Sequence, residues 1–330
     1  MNLRVALVGF GKMGILHSAI LSSMPNVRLV AVCEASRFSR QLASRILNGV
    51  SVLSDLRMMG DLDLNAVYVT TPPSSHSAIV KTIVEGQISP SLFVEKPLGI
   101  SYADSLESSS LALRLRVAMV GYQRRFAVTF KKGKELLDGH FIGEPREFRG
   151  YAFSSDVLTG KRGWRFSKPA GGGVLRDLGP HLVDILLWYF GGFQVVSSVR
   201  RSIYSYGVED FAAFSLTTKN EVKGYAEMSW SNPNYRLPEV GLAIEGTLGS
   251  LFVTDDFVRM KSKEGSRVWY RQDLGDQVDY LLGQAEFTRE SEHFASCIDR
   301  GMQPATDFKT AAEVDSILDV VYGKTSVGCT

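Results

Sequence analysis

The N-terminal stretch LRVALVGFGKMG, residues 3–14, joins a short apolar run to three glycines. The β-branched run Leu3–Val8 predicts a strand, and the spacing of apolar residues in Lys12–Ser23 predicts a helix. G-x-G-x-x-G between a strand and a helix is typical of a dinucleotide-binding turn, because glycines let the backbone approach a pyrophosphate at the helix N terminus. We therefore expect a dinucleotide to contact the six residues of the turn, Gly9, Phe10, Gly11, Lys12, Met13 and Gly14.

An acidic residue follows the second predicted strand. Glu34 comes directly after Val27–Cys33 and lies 20 residues after Gly14, where an acid binds the adenosine ribose of a dinucleotide. A carboxylate there repels a 2′-phosphate and favours NAD, whereas Ser36 and Arg37 could hold that phosphate, so NADP stays possible. In the alternative interpretation, Glu34 is a surface residue after a strand, and the glycines form a tight turn without binding a dinucleotide.

The composition is that of an ordinary globular protein, with 45% hydrophobic and 22% charged residues among 330. We expect two domains from this length, and a net charge of +2 is too small for a general nucleic-acid binder. Cys33, Cys297 and Cys329 lack metal-ligand spacing and cannot all pair, so we expect a cytoplasmic protein without a metal. The N terminus reads as a strand rather than a signal peptide, and no run approaches the ~18–20 apolar residues of a membrane span.

The pattern of predicted elements changes near residue 121. Before it, apolar strands alternate with helices, which predicts a parallel sheet covered on both faces. We predict an α/β fold: a Rossmann doubly wound parallel sheet over 1–121, then an α+β substrate-binding and oligomerisation domain over 122–330 with a large, mostly antiparallel open sheet. The C-terminal helix of the second domain could pack against the first domain. The elements predicted after residue 121 are helices at Val128–Leu137, Tyr280–Ile298 and Phe308–Tyr322 and strands at Val195–Tyr204, Phe211–Thr217, Val222–Trp230, Glu239–Glu245, Ser250–Thr254, Val258–Ser262 and Arg267–Tyr270.

A lysine follows another predicted strand in FVEKPLG, residues 93–99. The strand Leu92–Glu95 ends in Glu95-Lys96-Pro97, and ligands of parallel sheets bind beyond the carboxyl ends of strands. Beside a cationic nicotinamide the charged form of Lys96 would be disfavoured, which would lower its pKa. A surface lysine before a loop proline is the alternative.

The stretch GGGVLRDLGPHLVDILLWYFG, residues 171–191, places titratable groups in an otherwise apolar predicted helix. Asp177 and His181 have i, i+4 spacing, so both would project from one helical face. The other face, which includes Leu182, is expected to pack on the sheet, and Asp184 to cap or pair locally. A capped helix with a hydrogen-bonded structural histidine is the alternative interpretation.

These motifs occur together with three others, in an order and spacing that resemble the Gfo/Idh/MocA family (glucose–fructose oxidoreductase, inositol dehydrogenase, rhizopine catabolism). The resemblance covers essentially the whole chain, and its most specific parts are EKP and the GGG…D…H segment. One residue departs from the family pattern, since Pro73 replaces the usual asparagine of TPN. The three further motifs are TTPPSSH (70–76), GYQRRF (121–126) and GWR (163–165).

The resemblance implies a Rossmann domain, a C-terminal domain with an open sheet, and NAD(P)-dependent oxidation or reduction of sugars, cyclitols or related polyols. It implies that Lys96 contacts both cofactor and substrate, that Asp177 and His181 lie near the reacting hydroxyl, and that the Lys96–Pro97 peptide bond is cis. The cofactor contacts assigned beyond the glycine turn and Glu34 are Arg37, Thr71, Pro72, His76, Glu95 and Lys96.

Hydride transfer from an alcohol requires a base for the hydroxyl proton, and histidine suits this role at neutral pH. We assign His181 as general base in oxidation and general acid in reduction. Asp177 would orient it or bind a neighbouring hydroxyl, and Lys96 would hydrogen-bond the reacting oxygen. The rival assignment, with Lys96 as the acid/base and His181 as a positioning group, stays open.

Basic residues outnumber acids near the predicted site. An anionic substrate such as a sugar phosphate, nucleotide sugar or uronate is one interpretation, and a solvated loop is the other. We assign Tyr122, Arg124, Trp164 and Arg165 as substrate contacts, with Trp164 able to stack on a sugar ring. The basic residues are Lys161, Arg162, Arg165, Lys168, Arg176, Arg124 and Arg125.

Two other functions remain open at this point. One is a glycoside hydrolase that uses a bound NAD for a transient oxidation, and the other is a non-catalytic dinucleotide sensor. The lysine, aspartate and histidine together argue against the sensor. A homodimer or homotetramer is expected, because one face of the open sheet would need a partner or a polar surface.

Overall fold

The computed structural model describes residues 2–159 and 163–324, so Lys161, Arg162 and Cys329 lie outside the described residues. The chain forms two compact units. The first contains residues 2–123 and 278–313, and the second contains residues 124–159, 163–277 and 314–324. The predicted domain bounds, 1–121 and 122–330, stay a prediction.

The first unit contains a six-stranded parallel sheet in the order β3-β2-β1-β4-β5-β6, which is the Rossmann order. Its central strands are apolar on both faces because helices cover both, and this confirms the predicted fold class. The short strand β3 was not predicted. The strands are β1 Leu3–Val8, β2 Val27–Cys33, β3 Ser51–Leu53, β4 Ala66–Val69, β5 Ser91–Glu95 and β6 Val117–Gly121.

Helices of the first unit come from both ends of the chain. The late helix α9 packs on α1, and its Phe294 ring lies edge-on to Tyr68 of β4 and to Phe93 of β5. Four helices follow strands of the sheet, α1 Lys12–Ser23, α2 Arg37–Ile46, α3 His76–Glu85 and α4 Tyr102–Ala112, and one comes late in the chain, α9 Ala285–Arg300.

The second unit contains an eight-stranded sheet in the order β14-β13-β12-β11-β7-β10-β9-β8. Among the described strands of this sheet, only β7 and β10 pair in parallel, so the sheet is mostly antiparallel as predicted. The strand β7, at the middle of the sheet, was missed. The strands are β7 Pro145–Phe153, β8 Phe193–Arg201, β9 Phe211–Thr218, β10 Lys223–Ser229, β11 Glu239–Gly246, β12 Gly249–Thr254, β13 Phe257–Ser262 and β14 Gly265–Tyr270.

One predicted helix is divided in the structure. The segment 171–191 forms a short helix, α7, and a longer one, α8, because Pro180 in the first turn of α8 has no N–H to continue the earlier ladder. Leu182 of α8 packs on β7, where a side chain at Gly150 would collide with it. The remaining helices are α5 Val128–Asp138, α6 Asp156–Thr159, α7 Val174–Asp177, α8 Gly179–Phe190 and α10 Phe308–Val321.

Cys33 and Cys297 are buried free thiols. Within residues 2–159 and 163–324, no helix has the length and apolar character needed to cross a bilayer. The same residues contain no cluster of three or more His, Cys, Asp or Glu side chains arranged to hold a metal ion.

Candidate active site

The three glycines of the turn between β1 and α1 have different surroundings. Gly9 has φ +94°, and a side chain there would collide with Thr71. A Cβ on Gly14 would overlap the Gly9 carbonyl oxygen, whereas a Cβ on Gly11 would meet no described atom within 4 Å. Among the described residues, no side chain caps the N terminus of α1 and no acid lies in its first turn. The turn therefore fits a dinucleotide pyrophosphate, which needs open space above Gly11 and uncapped N–H groups.

The Glu34 carboxylate is fixed at the end of β2. Its Oε2 accepts a hydrogen bond from the Phe10 N–H at 2.6 Å, and its Oε1 accepts one from the Ser36 N–H at 2.7 Å. The acid thus lies directly beside the glycine turn, as a ribose-binding residue requires. Arg37 is exposed at the start of α2, whereas Arg40 donates to the carbonyls of Glu34 and Ala35.

The loop after β4 brings Thr71 and His76 together. His76 is fully buried, with Nε2 2.8 Å from the Thr71 carbonyl oxygen and Nδ1 2.9 Å from that of Pro97. Burial lowers the pKa of His76, although the two carbonyls oppose this effect. Pro72 is exposed. Direct contact of His76 with a cofactor stays a prediction, because both of its ring nitrogens lie against backbone carbonyls.

The strand β5 ends at the predicted catalytic lysine. Lys96 is half-buried after Glu95, and the Lys96–Pro97 peptide bond is cis, as predicted. The Glu95 carboxylate is buried. Its Oε1 lies 2.8 Å from Nε2 of His17, and its Oε2 accepts from the Lys96 N–H at 3.2 Å. Glu95 therefore bonds to protein groups on both oxygens, and its predicted cofactor contact stays a prediction.

In the second unit, the structure brings Arg165 and Asp177 together. Arg165 Nη1 donates to Asp177 Oδ2 at 3.2 Å, and the same guanidinium pairs with Asp156. His181 lies four residues after Asp177, but on α8 rather than α7, so the predicted single helix is wrong. Projection of the two side chains from one face stays a prediction. Both side chains are buried, each residue 7% exposed.

Two neighbouring arginines of the second unit form ion pairs with buried aspartates. Arg124 donates to both oxygens of Asp255, at 3.0 and 3.1 Å. Arg125 forms a similar fork with Asp184, at 2.7–3.0 Å, so the expectation that Asp184 pairs locally is wrong. Burial raises the pKa of Asp184 against the opposing effect of Arg125. Two nitrogens of Arg124 are thus occupied by Asp255, and its contact with a substrate stays a prediction.

The other predicted substrate contacts differ in exposure. Tyr122 is 1% exposed and therefore offers almost no surface, whereas Trp164 and Arg165 are half-buried in a 3₁₀ turn. Arg176 pairs with Asp315 at 2.9 Å and with Asp319, both on α10, and is buried with them. Among the described residues between Lys161 and Arg176, the basic side chains that reach the surface are those of Arg165, which is half-buried, and Lys168, which is exposed.

Sequence reasoning missed the buried histidine of α1. His17 lies in the run GKMGILHS. The one feature of the sequence that could have pointed to a role for it is its polar side chain in a mainly apolar helix. Its partner Glu95 is 78 residues away. The ion pairs of Arg125 and Arg176 were missed for the same reason, since their partners lie 59 and 139 or more residues further along the chain.

The Rossmann sheet, the glycine turn and the fixed acid are those of a dinucleotide-binding protein. Residues 3–123 match the model of the oxidoreductase family with an NAD-binding Rossmann fold, and residues 130–252 match the model of the Gfo/Idh/MocA C-terminal domain. Together the two matches span more than half of the chain. The chain therefore belongs to the Gfo/Idh/MocA family of NAD-binding oxidoreductases, as its motifs predicted.

Similar proteins include named sugar and cyclitol dehydrogenases. D-apiose dehydrogenase of Paraburkholderia graminis is 22% identical, over 96% of this chain and 86% of its own. Inositol 2-dehydrogenase 1 of Saccharopolyspora erythraea is 33% identical, over 44% of each chain. The solved structure of levoglucosan dehydrogenase in complex with NADH and levoglucosan has a TM-score of 0.89 at 23% identity, covering 98% of this chain and 97% of that one. It shares the fold.

Proposed function

We propose that the protein transfers a hydride between NAD and a hydroxyl or carbonyl group of a sugar-like or cyclitol substrate. The observation that supports this most directly is the glycine turn, with open space at Gly11 and the Glu34 carboxylate bonded to the Phe10 N–H. The relatives named for D-apiose and inositol are dehydrogenases, which favours a polyhydroxylated substrate.

When bound, the nicotinamide ring accepts or donates the hydride. In the oxidative direction, we propose that the His181 imidazole accepts the hydroxyl proton while the substrate carbon loses the hydride. Asp177, held by Arg165, orients that imidazole or accepts a hydrogen bond from a neighbouring hydroxyl. The Lys96 ammonium donates a hydrogen bond to the reacting oxygen. Exchange of the roles of Lys96 and His181 is the second assignment that the residues allow.

The charges of the second unit favour a neutral substrate over an anionic one. Arg124, Arg125 and Arg176 are each paired with at least one buried carboxylate. Arg165 is paired with Asp156 and Asp177, which neutralise its charge locally. We therefore propose a neutral polyol or sugar, bound by hydroxyl hydrogen bonds and by stacking on Trp164.

We propose that NAD is preferred over NADP, because Glu34 is anchored beside the glycine turn and its charge would repel a 2′-phosphate. In Glu34→Ser the repulsion is removed, and we expect the ratio of NADPH to NADH affinity to rise about tenfold or more. Fluorescence titration of both cofactors measures the ratio. An unchanged ratio would show that Glu34 does not set the preference.

A substrate screen tests the proposed function. Sugars, inositols, sugar acids and nucleotide sugars are each incubated with NAD and with NADP, and NADH formation is followed by absorbance. We expect turnover of a neutral polyol by the wild type, and a loss of kcat of about 10²–10⁴-fold in Lys96→Met and in His181→Ala with NADH affinity retained.

Two other outcomes of the screen would overturn the proposal. Glycoside cleavage without net NADH formation would indicate the NAD-using hydrolase. NADH binding without turnover of any compound would indicate a dinucleotide sensor. The affinity measurement is needed in both cases, because loss of turnover alone does not distinguish chemistry from binding.

We also propose a cytoplasmic homo-oligomer. The face of the eight-stranded sheet opposite Phe148 and Ala152 contains the stacked rings of Tyr151 and Phe153, with Tyr235 edge-on to both. Burial of these rings against a second copy would remove apolar surface from water. The free thiols of Cys33 and Cys297 are consistent with a reducing compartment.

A further inference from the structure

A buried histidine and a buried glutamate meet below the loop that begins with Lys96. His17 of α1 is fully buried, and its Nε2 lies 2.8 Å from Oε1 of Glu95, the last residue of β5. We infer that His17 is a positioning residue for Lys96, acting through the Glu95 carboxylate. The inference rests on the proposed function, because that function makes Lys96 a catalytic residue.

The hydrogen bonds around Glu95 show which group donates in the contact between His17 and Glu95. Glu95 Oε2 accepts from the Lys96 N–H, and Oε1 faces His17 Nε2. Nδ1 of His17 is buried without a hydrogen-bond partner among the described residues. An imidazole with its hydrogen on Nε2 donates to the carboxylate and leaves only a lone pair unmatched, which costs less than a buried unpaired N–H.

Aromatic rings enclose the pair, so an apolar residue could fill the same space. The His17 ring lies 5.7 Å from Tyr68, 5.3 Å from Phe93 and 6.2 Å from Phe287, measured between ring centroids. A buried polar pair loses solvation, and this loss often cancels its attraction. Packing alone therefore does not explain a histidine here, whereas a donor for Glu95 does.

The backbone on the other side of Lys96 is held as well. The Pro97 carbonyl oxygen lies 2.9 Å from Nδ1 of His76, and His76 Nε2 contacts the Thr71 carbonyl. The Lys96 N–H is thus held by Glu95, and the carbonyl of the next residue, Pro97, accepts from His76 when the imidazole carries its hydrogen on Nδ1. Release of Glu95 would let the Lys96 backbone shift, and a displacement of about 1 Å costs on the order of 10²-fold in rate.

Two substitutions of similar size separate this role from a packing role. In His17→Gln the amide N–H₂ reaches the position of Nε2 and can donate to Glu95, whereas in His17→Asn the amide ends near the position of Nδ1 and cannot. We expect His17→Gln to retain kcat within about threefold and His17→Asn to lose about 10–100-fold, with substrate KM and NADH affinity changed by less than the loss in kcat. Ser108→Ala, which alters a fully buried side chain of α4 in the same unit, is the control and should match the wild type.

A readout independent of turnover is the reactivity of Lys96 itself. Acetylation by acetic anhydride is measured between pH 6 and 10 in the absence of substrate, with peptide mapping by mass spectrometry. We expect the Lys96 profile of His17→Asn to differ from that of the wild type, and the profile of His17→Gln to coincide with it. Absence of turnover in the wild type would contradict the proposed function but not the role of His17. The acetylation profiles do not depend on turnover and would still test the position of Lys96.

Equal kcat values and equal acetylation profiles in His17→Asn and His17→Gln would overturn the inference. Equal losses in both would also overturn it, since a structural histidine predicts that outcome. Circular dichroism and thermal unfolding establish that each variant is folded. If neither His17 variant folds, Glu95→Gln is tested instead, with the same measurements of kcat and Lys96 acetylation. This substitution replaces one of the two acceptor oxygens of Glu95 by an N–H₂ group at nearly constant volume. An unchanged Lys96 profile in Glu95→Gln would then reject the inference.

Discussion

At the scale of single residues, Gly11 and Gly14 serve the same turn for different reasons. A side chain at Gly14 would overlap the Gly9 carbonyl, whereas one at Gly11 would enter open space. We expect Gly14→Ala to lower both the melting temperature and NADH affinity, because the backbone must shift. Gly11→Ala should keep the melting temperature within about 2 °C, since an exposed substitution alters stability little, but lose NADH affinity.

Differential scanning fluorimetry and NADH fluorescence titration measure the two effects. Gly11→Ala serves as the matched control for Gly14→Ala, since both add one methyl group to the same turn. Unchanged NADH affinity in Gly11→Ala would show that the open space above this glycine is not the cofactor site.

The buried His76 predicts a pH dependence of stability. Burial lowers its pKa in the folded protein, so between the unfolded and folded values the unfolded chain binds a proton that the folded chain does not. Stability is therefore complete above the unfolded pKa, near 6.5, and falls as the pH decreases toward the folded value. This group alone contributes a slope of at most about 1.4 kcal/mol per pH unit.

Urea unfolding at pH 7.5 and 5.5 measures this slope in the wild type and in His76→Asn, whose amide can still donate to the Pro97 carbonyl. We expect the variant to lose less stability between the two pH values than the wild type does. Equal losses would show that His76 does not titrate differently in the two states.

The residues of the first unit also show what motif reasoning can and cannot find. The position of the glycine turn between β1 and α1, and that of Glu34 directly after β2, were predicted correctly, because both follow from local spacing. Their contacts with a cofactor stay a prediction. His17 was missed and Glu95 was assigned only to the cofactor. Their contact joins residues 78 positions apart, and a single sequence contains no signal for such a pair.

At the scale of elements, the strand β7 shows why part of the second sheet was not predicted. It begins with Pro145, and its buried face contributes Gly150 and Ala152 besides Phe148. Proline and small residues weaken the alternation that identifies a strand. The strands β9 to β14 follow clear alternating or apolar patterns and were predicted within a few residues.

The helix α7 is held in place by a buried ion network. Arg176 bridges to Asp315 and Asp319 of α10, and the Glu209 carboxylate accepts from the Leu175 N–H and the Tyr322 hydroxyl. We expect Arg176→Ala to destabilise the protein by about 3–5 kcal/mol, because it removes the buried guanidinium that both of these buried carboxylates face.

Urea unfolding measures the loss. Lys134→Ala, which removes an i, i+4 pair with the exposed Asp138, is the control and should cost less than about 1 kcal/mol. A similar small cost for Arg176→Ala would show that the network does not support α7.

At the scale of the whole molecule, the proposed self-association predicts the molecular mass of the protein in solution. Light scattering at micromolar concentration should give a small multiple of 36.4 kDa. Phe153→Lys places a charge among the rings of Tyr151 and Tyr235 and should lower the mass toward one chain. Phe141→Lys, at an exposed phenylalanine outside these rings, is the control. A single-chain mass for the wild type would contradict the proposed interface.

The late helix α9 limits how the cofactor-binding part of this protein can be engineered. Residues 278–313 belong to the same compact unit as residues 2–123, and Phe287 and Phe294 cover His17, Tyr68 and Phe93. A fragment cut after residue 123 would expose these rings to water and would be prone to aggregate. A portable module grafted into another enzyme would therefore have to include the distant segment, joined by a designed linker or by circular permutation.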